Sequence, residues 1–174
     1  MVGVDETLKQ LAEEIITKAQ QKLREKNTQR RKEIEREIGS IYRRMMKGDR
    51  NMKGLISIIK DTELKEIDLE MFLEPNGFCE AIAAGIDFKP TQLRKLFHEL
   101  RKLQYQRDQS IRLNLLKLIP YLAYAKGREL IDDEFYSFSK ELILKVENQE
   151  DFKIFVDIFE AIVAYHRYYN PKES

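Results

Sequence analysis

Between residues 90 and 128 the chain places cations and rings along one line. Arg94, His98, Arg101 and Tyr105 fall at i, i+4, i+7 and i+11, a single stripe on a helix of 3.6 residues per turn. Positive charge interleaved with an imidazole and a phenol suits a phosphate backbone whose bases are free to stack. A lone stripe of this kind is more often a solvated helix face. The local balance is one-sided, however: Arg94, Lys95, Arg101, Lys102, Arg107, Arg112, Lys117, Lys126 and Arg128 are opposed only by Glu99 and Asp108. The candidate contacts are therefore Arg94, Lys95, His98, Arg101 and Lys102, followed by Lys117, Lys126 and Arg128. A second basic cluster, Arg43, Arg44, Lys47, Arg50 and Lys53, would supply an opposite wall if folding brings the two together.

Catalytic chemistry finds little support. His98 and His166 are the only imidazoles, and neither sits in an HExxH or His–Cys arrangement, so a zinc site lacks ligands. No local motif sets either histidine beside Cys79 or a serine as a nucleophile pair. Asp132, Asp133 and Glu134 have the composition of a metal site, but a helix cap followed by first-turn carboxylates explains them without one. Cys79, the single cysteine, lies in an apolar run and reads as a small buried hydrophobe in a reducing compartment. The expectation is a protein that is not an enzyme, with no metal and no cofactor.

The elements that position these residues all read as helices. Leu93, Leu96, Phe97, Leu100 and Leu103 give the helix after Pro90 one apolar face, with Thr91 as its expected N-cap. Residues 109–126 are apolar almost all round, which predicts a central rod, kinked at Pro120 and stopped by Gly127. Upstream, Leu8, Leu11, Ile15, Ala19 and Leu23 form one stripe and Ile34, Ile38, Ile41 and Met45 another. The ten residues REKNTQRRKE between them carry no apolar side chain, so either a projecting helix or a hinge near Asn27 and Thr28 is expected. Gly48 and Gly54 loosen a break at 49–51, short helices follow at 55–59 and 67–73, and Glu74–Gly77 is a turn. A small-residue helix covers 78–84. Downstream, Phe135, Phe138, Leu142 and Val146 face inward from one helix. Phe152, Phe155, Val156, Phe159, Ile162, Val163 and His166 face inward from the last, and residues 170–174 are expected to fray. The prediction is an all-α fold, a compact bundle of about five to six helices with a long N-terminal helix or helix pair. Residues 1–174 read as a single domain in which 1–50 form an N-terminal segment, projecting or exchanged between copies, and 51–170 form the body.

A net charge of +1 excludes a globally basic nucleic-acid binder, so any such surface must come from segregation of charge. Segregation is present: residues 30–53 and 91–128 are basic, while 61–80 and 129–160 are acidic. No apolar run reaches the roughly 20 residues of a membrane span and no signal peptide is visible, so the expected location is the cytoplasm, with no membrane partner.

The segments TQLRKLFHEL and LLKLIPYLAYAKGR, with a helical end FEAIVAYHRYY, resemble the small subunit of type III-A CRISPR effector complexes. The resemblance rests on Thr91, Gln92, Leu93 and Arg94, and on Lys117, Leu118, Pro120, Leu122, Ala123, Tyr124, Ala125, Gly127 and Arg128. The family element carries a proline at the place of Pro120. Over roughly residues 81–169 the match implies a non-catalytic subunit. Its copies stack along the complex, associate with one another and with the other subunits, and help hold guide RNA and target RNA. The rival expectation is a protein-binding helical scaffold that self-associates through the N-terminal stripes and binds no RNA. A helical DNA-binding regulator is disfavoured by the absence of a recognition-helix motif.

Overall fold

The structure, a computed structural model, describes residues 6–86, 90–104 and 111–171, without the side chains of Pro90, Gln92, Leu93 and Gln104. Helix α1 (Glu6–Arg24) and helix α2 (Thr28–Lys47) are separated at residues 25–27, inside the polar segment that no core could hold. Asn27 caps α2, its side chain accepting from the Arg30 backbone N–H at 3.0 Å. The chain therefore hinges here, and α1 lies against α2 rather than continuing outward. Leu8, Leu11, Ile15 and Ala19 meet Ile34, Ile38 and Met45 in the buried seam. Lys18–Glu37 and Lys22–Glu35, each at 2.9 Å, close its edge. Leu23, expected in the stripe, is 41% exposed because α1 ends just beyond it.

Where only a break was expected, two-residue strands β1 (Gly48–Asp49) and β2 (Met52–Lys53) pair antiparallel, with Gly48 opposite Lys53. Gly48 and Gly54 do not loosen this hairpin; they let its backbones touch. Gly48 has φ +79°, and a Cβ on Gly54 would stand 2.4 Å from both the Gly48 nitrogen and the Met46 carbonyl. Helix α3 (Leu55–Asp61), a 3-10 turn at Leu64–Glu66 and helix α4 (Leu69–Leu73) lead to helix α5 (Phe78–Gly85). Every residue of α5 from Phe78 to Ala83 is buried, between α1 on one side and the C-terminal helix on the other.

Three expectations about the next segment need correction. Helix α6 (Pro90–Gln104) already includes Pro90, so Thr91 lies in its first turn and does not cap it. A proline suits that position, where its missing N–H has no partner to lose. The apolar run is not a straight rod: at Lys117, whose backbone stays helical (φ −67°, ψ −19°), it passes from α7 (Ile111–Leu116) to α8 (Leu118–Gly127), the interruption expected of Pro120. Pro120 removes the N–H that would bond the Leu116 carbonyl and crowds that same group, and the break falls there. Nor is it central, since Leu113 is 53% and Tyr124 61% exposed. Gly127 is likewise not the stop. The left-handed residue is Glu129 (φ +58°), and the Leu130 N–H reaches back to the Ala125 carbonyl at 2.9 Å, closing a Schellman turn.

Helix α9 (Asp133–Lys145) begins at the expected cap, Asp132, whose carboxylate accepts from the Phe135 N–H at 2.7 Å. The true rod is α10 (Gln149–Tyr169), capped by Asn148, which packs on α1, α4, α5, α6 and α9. Its Phe155 and Phe159 stack at 4.6 Å, and Phe135 meets Phe159 edge-on at 5.8 Å. His166, on the inward face of α10, is buried. The architecture is all-α, with ten α-helical segments among the described residues, more broken than the five to six expected. Pro120, the caps at Asn27, Asp68 and Asp132, and the glycine hairpin impose the extra breaks. Of the expected frayed end, 172–174 lie outside the described residues.

Two substitutions probe this packing. A Cβ at Gly85 would stand 2.5 Å from the Tyr42 ring, which is buried and held by its hydroxyl on Asp132 at 3.0 Å. Gly85→Ala should therefore destabilise the fold by about 1–3 kcal/mol, measured by urea denaturation. An unchanged midpoint would mean that Tyr42 gives way. Glu129→Gly should instead raise stability by about 1 kcal/mol, because it relieves a side chain from the left-handed region.

Candidate nucleic-acid interface

Helix α6 is held by one face only. Leu96 and Leu100 are buried, and the helix packs on α10 and α7. Beside that face, α6, α7 and α8 together line an open cleft of about 850 Å³. Arg94, Lys95 and His98 line it from α6, and Lys117 lines it from the break made by Pro120. Leu103, Leu118 and Tyr121 supply apolar surface, while Thr91 and Asn114 add polar edges. Arg94, Lys95 and Lys117 are exposed and make no ion pair among the described residues. The one carboxylate in the lining, Glu99, is engaged by Lys102 at 3.2 Å. The cleft thus presents three uncommitted cations, an imidazole and a tyrosine, which is the composition that follows phosphates and offers a ring to a base.

The remaining candidates separate into other places. Arg101 lies over the Phe97 ring at 5.4 Å, outside the cleft, so the line from Arg94 to Arg101 is divided between two surroundings. Tyr105 and Arg107 lie outside the described residues. Arg112, counted in the basic excess, is structural: its guanidinium donates to the Leu144 and Val146 carbonyls, each at 3.1 Å, at the end of α9. Lys126 is held by Asp133 at 2.6 Å and lies 4.9 Å from the Tyr136 ring centre. Arg128 rests on Tyr124, 5.9 Å from its ring centre, with a 3.4 Å bond to its hydroxyl. Tyr124 accordingly faces solvent and not the core.

The second basic cluster does not form the opposite wall of this cleft, whose lining contains no residue of α2 or the hairpin. Arg44 is paired with Asp49 at 2.7 Å, which holds that carboxyl below its usual range. Lys53 pairs with Asp61 at 3.3 Å, and Arg50 is exposed at the hairpin turn. Arg43 borders a larger depression of about 1220 Å³, in which Lys22, Lys32, Arg36 and Arg43 are matched by Glu35, Glu129, Asp132 and Glu134. Four cations against four carboxylates leave little net field there for an anion.

Lys47, which was counted in the basic cluster but not among the candidate contacts, joins the two halves. It shares Asp133 with Lys126, at 2.7 Å and 2.6 Å, so the ends of α2 and α8 meet at the start of α9. The hydrogen bonds from Lys126 and then Lys47 hold the Asp133 carboxyl below its ordinary value, and Asp133 in turn raises Lys47. Buried Tyr42 donates to Asp132 beside them, and burial first, then that carboxylate, pushes its phenol well up. Among the described residues, no group of three or more His, Cys, Asp or Glu is arranged to hold a metal, and no helix is long and apolar enough to cross a membrane.

A family model described as Csm2 Type III-A matches residues 74–172, a span that contains the cleft, α9 and α10. No curated protein and no solved structure matches the chain.

Asp133 yields a pH prediction. Its folded value lies below the ordinary 3.8, so the stability it contributes is complete above that value and is lost as pH falls through the depressed one. Asp133→Asn should lower stability at pH 7 by no more than about 1 kcal/mol, since both lysines are partly exposed. The gap between the two urea midpoints should close on acidification; a gap independent of pH would show that the carboxylate charge is not what matters.

Proposed function

Because this chain belongs to the Csm2 type III-A family, we propose that it serves as a non-catalytic, RNA-contacting subunit of a type III-A CRISPR ribonucleoprotein. The family is one of structural subunits within a multi-subunit complex. In this reading the chain works in the cytoplasm, stacks with its neighbours and holds guide RNA and paired target RNA through backbone phosphates, without reading sequence. The observation that carries it is the convergence of Arg94, Lys95, His98 and Lys117 on one cleft, with the three cations free of ion pairs among the described residues. Lys126, held by Asp133 about two and a half turns beyond Lys117, and Arg128, resting on Tyr124, lie off the cleft and play a secondary part. Arg101 and Lys102 flank it on α6. Arg43, Arg44, Arg50 and Lys53 belong to a separate surface and play a secondary part.

The scaffold alternative draws less support. The N-terminal apolar stripes it relies on are buried between α1, α2 and α5 within one chain, so a folded copy offers little of them to a second.

Binding to labelled single-stranded and duplex RNA across a salt titration tests the reading. Three phosphate contacts on a single strand correspond to a log–log slope of about −2, and Arg94→Glu/Lys117→Glu should flatten it towards zero. Arg43→Glu/Arg50→Glu should change it far less. Binding that ignores the first variant would remove RNA from the cleft, and absence of binding at low salt would favour the scaffold.

A further inference from the structure

A second recess, sharing no lining residue with the basic cleft, lies where the end of α10 meets the turn before α5. It measures about 450 Å³, and Tyr165 and Tyr168 line it together with Pro75, Asn76, Gln20 and Glu80. Glu80 is the unusual member. It is only 5% exposed, and its two oxygens accept from the Asn76 backbone N–H at 2.8 Å and from the Tyr169 hydroxyl. Each oxygen keeps a further acceptor position, and among the described residues no lysine, arginine or histidine pairs with it. An enclosed carboxylate without a counter-charge is costly, and this one borders an opening. Burial, and after it Glu80, raises both the Tyr165 and Tyr169 phenols. Tyr168 is 58% exposed, yet its ring is braced at 84° against Tyr169 with centres 4.9 Å apart.

Aromatic faces around a recessed carboxylate repel phosphate and attract a cation. A planar guanidinium fits better than an ammonium, because it can lie on a ring while forking to carboxylate oxygens. We propose that this recess receives an arginine side chain of another protein chain, its guanidinium lying on Tyr168 and donating to Glu80. The site is thus a protein-docking point, separate from the RNA-facing cleft and independent of whether that cleft binds RNA.

Titration of the full-length protein with N-acetyl-arginine amide, followed by NMR of the tyrosine rings, tests this without RNA. The neutral control is N-acetyl-citrulline amide, which keeps the shape and lacks the charge. Saturable shifts of Tyr165 and Tyr168 are expected with arginine, at least about tenfold weaker with citrulline or in Glu80→Gln, and about two- to fivefold weaker in Tyr168→Ala. Tyr168 is exposed, so its variant keeps the test valid even if Glu80→Gln unfolds. Equal response to arginine and citrulline, or arginine binding indifferent to both substitutions, would overturn the proposal.

Discussion

A helix made largely of small residues has to fit between larger neighbours, and the rest of the fold is arranged about that fit. In α5, Cys79, Ala81 and Ala83 let α1 and α10 approach closely, and Gly85 leaves room for the Tyr42 ring. Tyr42 carries the constraint onward. Its hydroxyl bonds Asp132, Asp132 caps α9, and the next residue, Asp133, gathers Lys47 from α2 and Lys126 from α8. One line of contacts therefore ties α5, α2, α9 and α8 together. A methyl group at its start would act on everything after it, because a buried ring held at both ends cannot easily shift.

The basic cleft exists because the elements around it stop short of closing. Pro120 interrupts the apolar helix at Lys117 and leaves α7 and α8 as short pieces, while α6 is anchored through buried Leu96 and Leu100 with Leu103 beside them. Two walls with a gap between them are the result. Their cations Arg94, Lys95 and Lys117 make no ion pair among the described residues, and the one carboxylate in the lining, Glu99, is engaged by Lys102. A chain of net charge +1 thereby offers a locally positive surface. The Glu80 recess is its electrostatic opposite, so two faces of the chain differ in charge.

Much of the local structure was legible in the residues themselves. Asp132 as a cap, the break near Asn27, the turn at Glu74–Gly77, and the inward faces of α9 and α10 depend on groups a few positions apart, so neighbouring residues suffice to specify them. The kinship with the type III-A small subunit was also visible there, because the motif about Pro120 is itself a local feature. The competition between partners distant in sequence was not. Whether Arg112 binds solvent or the carbonyls of α9, whether Lys126 is free or held by Asp133, and whether two basic clusters share a wall all depend on groups from tens of positions away. The apolar run from 111 to 126 illustrates the limit. Its composition demanded burial on every side, yet α10, with its longer and larger aromatic face, took the centre and left Leu113 and Tyr124 in solvent. The sequence by itself determined which segments are helical, several of their caps and that basic and acidic blocks alternate, because those properties arise within a turn or two of helix. Only the tertiary structure decided which helix lies innermost and which charges remain unpaired, because both are outcomes of competition for the same neighbours in three dimensions.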